Sequence, residues 1–167
     1  MRILFISDRG QGGIRNHVKI LLQSLQKIDG VETYCIGEDE PFSGKSGHDP
    51  RELFQIRCVV KWFKPDIVHF HTLPFWMVVY VKLIVKLPVV CSIHIPYEKN
   101  TSYKMRFLFY LIRKSYFLPV SKSTWEVFRR YQLPNASGEV FYNSMCISTT
   151  SHNNAVDAEL FKERASR

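Results

Sequence analysis

Acidic side chains are scarce in this sequence, 15 against 23 Lys and Arg, and long apolar runs are missing. The longest uncharged apolar stretch, Leu73 to Val81, stops at Lys82, well short of the roughly 20 residues a membrane-spanning helix needs. The opening Ile3-Leu4-Phe5-Ile6 is too short for a signal-peptide core and runs into Asp8-Arg9; it reads as the first strand of a cytosolic protein. Only four cysteines occur, at 35, 58, 91 and 146, with no C-x-x-C pair. Cys35 and Cys91 fall in strand-like runs and Cys58 in a helical one. They read as small buried hydrophobes, with a disulfide framework or a cysteine-ligated zinc as the alternatives. No internal repeat is visible, and the charge is too sparse and scattered for a coiled coil or a disordered chain. What is present, 167 residues with 46% hydrophobic and 14% aromatic content, suffices for one domain that buries roughly 70% of its unfolded surface.

Hydrophobic periodicity alternates along the chain between two kinds of segment. Ile3 to Ile6 is a continuous apolar run, the pattern of a strand buried on both faces. Ile14, Val18, Leu21, Leu22, Leu25 and Ile28 then stripe one face of a helix. A second strand is expected over Val31 to Ile36, a loop over Gly37 to Pro50, and a helix from Leu53 to Phe63 that Pro65 ends. Asp66 to His71, Pro88 to His94 and Phe117 to Val120 read as further strands, the last imperfect because of Pro119. Phe75 to Lys86 and Tyr103 to Ser115 read as helices. Ser121 caps one more helix, through Arg130, and Glu139 to Tyr142 is the expected sixth strand. This alternation specifies a doubly wound α/β domain, a mostly parallel sheet with helices on both faces. The expected domain covers residues 1–147, and residues 148–167 read as a linker or frayed tail.

In such sheets ligands bind beyond the carboxyl ends of the strands. There the sequence delivers Ser7, Asp8 and the loop Gly10-Gln11-Gly12-Gly13, then His69 and His71, His94, Ser121 and Asn143. Glycines let a backbone approach a ligand closely, and a helix N-terminus offers free N–H groups to an anion. The spacing is not G-x-G-x-x-G, and Gly37 rather than an acidic residue follows the second strand. That argues against a dinucleotide and leaves a phosphate, a sugar, or a loop that merely turns. His69 and His71, two apart on a strand, share one face. With His94 they read as a metal site, or His69 as a buried, hydrogen-bonded structural side chain. His94, at a strand lip, suits a hydrogen-bonding or acid–base role.

The basic excess is local. Lys99, Lys104, Arg106, Arg113, Lys114, Lys122, Arg129 and Arg130 face only Glu98 and Glu126 between Tyr97 and Tyr131. The same stretch carries Met105, Phe107, Leu108, Phe109, Tyr110, Leu111 and Ile112. It reads as a buried crossover helix with solvated ends, or as a face for a membrane surface or a lipid-linked acceptor. No nucleic-acid motif accompanies the charge.

Five segments together resemble a family 4 glycosyltransferase. They are Met1 to Ser7 followed by Gly12-Gly-Ile-Arg-Asn-His-Val18, then Lys64-Pro-Asp-Ile-Val-His-Phe-His71 and Pro88-Val-Val-Cys-Ser-Ile-His94. Leu118-Pro-Val-Ser-Lys-Ser-Thr-Trp125 and Glu139-Val-Phe-Tyr-Asn143 complete the order. The resemblance implies the N-terminal, acceptor-side half of a GT-B fold, with the donor-binding C-terminal domain, its basic pair and its E-x7-E motif absent. It implies a retaining transfer from a nucleotide sugar, as co-substrate, to a glycan such as a capsule polysaccharide or to a lipid-linked acceptor. No cofactor and no tightly bound metal are expected, and the half alone should be inactive. It places Gly12 and Gly13 near the donor phosphate, His94 against the donor sugar as the catalytic position, and His17, His71, Ser121 and Asn143 along the acceptor cleft. Tyr142-Asn143-Ser144 stands where the family has P-N-G. Two other readings are a stand-alone partner subunit of the same fold and a small metal-dependent hydrolase built on His69, His71 and His94. The expected location is cytoplasmic, peripheral at the inner membrane face.

Overall fold

Short runs of apolar and β-branched residues become strands where both faces are covered, and each is followed by a segment of helical period. A computed structural model describes residues 1–7, 13–37, 50–71, 75–94, 103–131 and 133–141. The strands are β1 (Arg2–Ile6), β2 (Glu32–Ile36), β3 (Ile67–Phe70), β4 (Val89–Ile93), β5 (Tyr116–Pro119) and β6 (Ser137–Gly138). The helices are α1 (Gly13–Leu25), α2 (Pro50–Phe63), α3 (Phe75–Tyr80), α4 (Tyr103–Ile112) and α5 (Lys122–Tyr131). The expected loop between β2 and α2, Gly12, Asn143 and the tail at 148–167 lie outside the described residues.

All six strands join one sheet in the order β2-β1-β3-β4-β5-β6, and every pair is parallel. The α/β architecture read from the sequence is therefore the one observed. Right-handed crossovers place helices by the direction of each step. The step from β1 out to β2 puts α1 on one face; the steps back through β3 to β6 put α2 to α5 on the other. The packing agrees. Ile3 and Phe5 of β1 meet Val18 and Leu22 of α1. Leu4 and Ile6 belong to the larger core with Ile56, Phe70, Phe109 and Phe128. One five-residue strand thus divides its side chains between two cores by period two alone.

Three expectations are corrected. The helix expected over Phe75 to Lys86 is regular only to Tyr80 and widens into a π-type segment, Val81–Val85. Lys86 ends it in the left-handed region (φ 62°), as Lys64 (φ 50°) follows α2 ahead of Pro65. The sixth strand begins at Ser137 rather than Glu139, because Gly138 lets β6 close on β5. Beyond it Glu139 N–H donates to Phe117 O (3.1 Å) and Phe141 N–H to Pro119 O (2.8 Å), so the expected segment continues the ladder. Cys58 is exposed, on the side of α2 opposite the buried Ile56, whereas Cys91 is buried and Cys35 half-buried. No helix among the described residues is long and apolar enough to cross a membrane.

Gly138 is the tightest point of the sheet edge. A Cβ there would lie 2.1 Å from the carbonyl oxygen of Phe117, and that oxygen belongs to a paired backbone that cannot swing aside. Gly138→Ala is expected to cost about 1–3 kcal/mol, as other overpacked sites do. Urea denaturation checks this, and an unchanged midpoint would refute the steric account.

Candidate functional site

The strand order reverses direction at β1 and β3: the chain leaves β1 toward β2 and returns past it to β3. At such a reversal the two following connections run to opposite faces and open a crevice beyond the carboxyl ends. Ser7 ends β1 with its N–H donating to Ile36 O (3.0 Å), and His71 ends β3 with its N–H donating to Ile6 O (3.0 Å). Both side chains are therefore fixed by the ladder, one residue beyond each strand. Gly13 begins α1, whose first turn points its N–H groups and positive dipole end toward this edge.

Four imidazoles gather here, on the face of the sheet that α1 covers. His69 and His71 stack at 4.4 Å between ring centroids, and His69 lies 5.1 Å from Phe5. His17, one turn into α1, lies edge-on to His71 (5.5 Å) and His94 (5.6 Å), and His94 is 5.9 Å from His71. Phe141 closes the group with an edge contact to His17 at 5.8 Å. The order of these contacts follows from the register: Phe5 pairs with His69 and His69 with Val90, so Ser92 and His94 fall on the same face two and four residues on.

Their roles differ by hydrogen bonding. His69 is buried and its Nε2 is 2.9 Å from Ser92 Oγ, which is the buried, hydrogen-bonded reading. His71 is fully buried with both ring nitrogens lacking a partner, and His94 Nε2 is likewise buried and unpartnered. Among the described residues no three His, Cys, Asp or Glu side chains are arranged to hold a metal ion. Burial, then the neighbouring imidazoles, push the His69 pKa down to about 3 and that of His71 lower still. Burial and His17 hold His94 at about 4, and burial lowers His17 itself. At neutral pH the cluster is a set of uncharged rings, each able to donate through one nitrogen and accept through the other.

The profile of Glycosyltransferase Family 4 matches residues 11–145. The chain belongs to this family. No curated protein is similar enough to the sequence to count as a match. In this glycosyltransferase domain the structure brings together His17, His71 and His94 and sets Gly13 at the head of the helix that carries His17. Ser121 caps α5 as expected: its Oγ accepts from Thr124 N–H (3.1 Å) and lies 2.9 Å from Thr124 Oγ1 and 3.0 Å from Ser123 Oγ. Gly12 and Asn143 lie outside the described residues. Sequence reasoning overlooked Ser92 and Phe141. Ser92 was findable, two residues before His94 on a strand whose neighbour carries His69; Phe141 was expected in a strand but with no reason to meet His17.

The two unpartnered nitrogens of His71 are a concession of stability at the centre of the site, since an unsatisfied buried polar group costs about 1–3 kcal/mol. His71→Leu is expected to raise stability at pH 7.5 by about 1 kcal/mol or more. The native domain holds its buried rings neutral while the unfolded chain protonates near pH 6.5. Stability is therefore full above that value and falls as pH drops from 6.5 toward 3, each buried histidine adding a slope of up to about 1.4 kcal/mol per pH unit. Urea titrations at pH 7.5 and 5.0 should show the leucine variant gaining more at the lower pH. Destabilisation at both would contradict this view of His71.

Proposed function

We propose that this glycosyltransferase domain, residues 1–147, is the acceptor-binding half of a retaining enzyme that moves a sugar from a nucleotide sugar to a glycan or lipid-linked acceptor. The observation that carries the reading is the neutral histidine cluster at the sheet reversal, beside the start of α1. Departure of a nucleoside diphosphate builds negative charge, and a helix N-terminus is ready to stabilise it without reorganisation. Gly13 opens that helix, and Gly12 precedes it in the same glycine pair. A sugar, by contrast, is uncharged and rich in hydroxyls that donate and accept. Uncharged imidazoles suit it, and His94 with its unpartnered Nε2 is the group that a donor-sugar hydroxyl would satisfy. His17 and His71 line the acceptor side of the same crevice, with Asn143 following β6 in the turn toward a donor-binding domain. The nucleotide sugar is a co-substrate, and no cofactor enters the reading. Residues 148–167 would serve as the linker, and the work is cytoplasmic.

The 167-residue chain alone is expected to transfer no sugar from nucleotide sugars to membrane-extracted acceptors. Joined to a donor-binding domain of the family it should gain activity, and His94→Ala should then lower kcat/KM by about 100-fold, the scale of losing one well-placed polar contact in a transition state. The melting temperature should move little. Sustained transfer by the chain alone would overturn the half-enzyme reading, and an active His94→Ala enzyme would overturn the role of the histidine.

A further inference from the structure

Away from the crevice, the outer side of the α2–α5 layer carries large apolar side chains that the fold leaves in water. On the widened turn after α3, Leu83 is 45% and Ile84 67% exposed; on α4, Tyr103, Phe107 and Tyr110 are 89%, 60% and 55% exposed. The α4 residues are spaced four and three apart, one outward stripe opposite the buried Leu108, Phe109 and Ile112. The two elements adjoin. Phe75 of α3 meets Phe109 of α4 edge-on at 4.7 Å, and Lys82 Nζ donates to Ser115 Oγ at 2.9 Å. Exposed Lys86, Arg113 and Lys114 border the stripe. The Arg113 guanidinium lies 3.7 Å over the Tyr110 ring, and its Nη1 donates to Tyr110 O (2.9 Å).

Basic charge accompanies this surface. From Ile67 to Trp125 the sequence holds eight Lys and Arg and a single acid, Glu98. The other exposed apolar pair, Phe54 and Trp62, sits on α2 of the same layer, with Trp62 edge-on to Tyr34 of β2 at 5.2 Å; exposed Arg57 and Lys61 lie beside it in the sequence, and Glu32 and Asp66 bond to Arg2 nearby. A second copy of the chain, itself at +8, would bring like charge against like. Exposed aromatic and aliphatic side chains with Lys86, Arg113 and Lys114 exposed beside them in the sequence match the boundary between anionic headgroups and acyl chains.

We infer that the outer faces of α4 and of the Val81–Val85 turn form a docking surface for an anionic lipid bilayer, with Ile84, Phe107 and Tyr110 entering the interface and Lys86, Arg113 and Lys114 at the headgroups. The surface expected from sequence over residues 97–131 is thereby moved: α3's continuation joins it. The inference stands apart from the sugar-transfer reading, since vesicle binding needs no donor, acceptor or second domain.

The test is co-sedimentation of the 167-residue chain with vesicles of phosphatidylcholine alone or with about 30% phosphatidylglycerol. Binding to the anionic vesicles should exceed that to neutral ones by roughly 10-fold or more and weaken as salt rises, because surface charge is screened. Ile84→Ser with Phe107→Ser, both at exposed positions, should reduce anionic binding about 10-fold or more, because apolar area is withdrawn from the interface. Lys86→Gln with Lys114→Gln should reduce it and flatten the salt dependence. Trp62→Ser, on α2 beside β2 and away from α4, should leave it unchanged. The inference falls if the wild-type chain fails to bind, if neutral and anionic vesicles bind alike, or if the serine pair binds as wild type. It falls equally if the serine pair abolishes self-association in sedimentation velocity while vesicles are ignored, which would make the patch a contact between copies.

Discussion

Everything in this domain hangs on a parallel ladder whose central strands are covered on both faces. A parallel strand cannot return to its neighbour through a tight turn, so each connection must cross the sheet as a helix, with one hand. The direction in which the chain steps then decides which face each helix covers. Here a single outward step, β1 to β2, sets α1 alone on one side and leaves four helices for the other. The asymmetry divides the labour. The crowded face carries the dense aliphatic and aromatic core, with Phe128 against both Phe109 (5.6 Å) and Phe117 (5.0 Å). The α1 face is lightly covered and can hold polar groups.

The histidine cluster is a product of that division. Alternation along β3 and β4 sends Val68, Phe70, Cys91 and Ile93 into the dense core and His69, His71, Ser92 and His94 to the α1 face. Burial there without a carboxylate partner keeps the rings uncharged, and uncharged rings can exchange hydrogen bonds with a polyhydroxylated ligand where imidazolium could only donate. The same burial leaves His71 without partners, a local loss that a purely structural sheet would have relieved with an apolar side chain. Ser121 shows the opposite outcome: a polar residue at a strand end that the backbone itself consumes as a helix cap.

The outer side of the helical layer follows a different logic. The inward stripe of α4 is spent on the core, and its outward stripe is aromatic where a water-facing helix would carry charge and amide groups. The widening of α3 into Val81–Val85 turns Leu83 and Ile84 outward beside it. Together with the nearly acid-free stretch around them, these residues set the outer flank of the helical layer apart from the histidine-bearing edge of the sheet.

Much of this was legible before any coordinates. Apolar runs and helical stripes determined the six strands, the five helices and the α/β class, because period two and period 3.6 are set by local backbone geometry. Gly12-Gly13 and the strand-end histidines determined where to look, since only the carboxyl edge collects such residues. Tertiary structure decided the rest. Whether β1 lies between β2 and β3, and so where the reversal falls, depends on sheet pairing between residues some 60 apart. Whether His71 is satisfied and whether Phe141 meets His17 depend on side chains from separate elements converging. The start of β6 moved to Ser137 because Gly138 alone tolerates the approach of Phe117 O. Local sequence sets the period of each element; only packing between elements sets which of its side chains are buried with unpaired nitrogens.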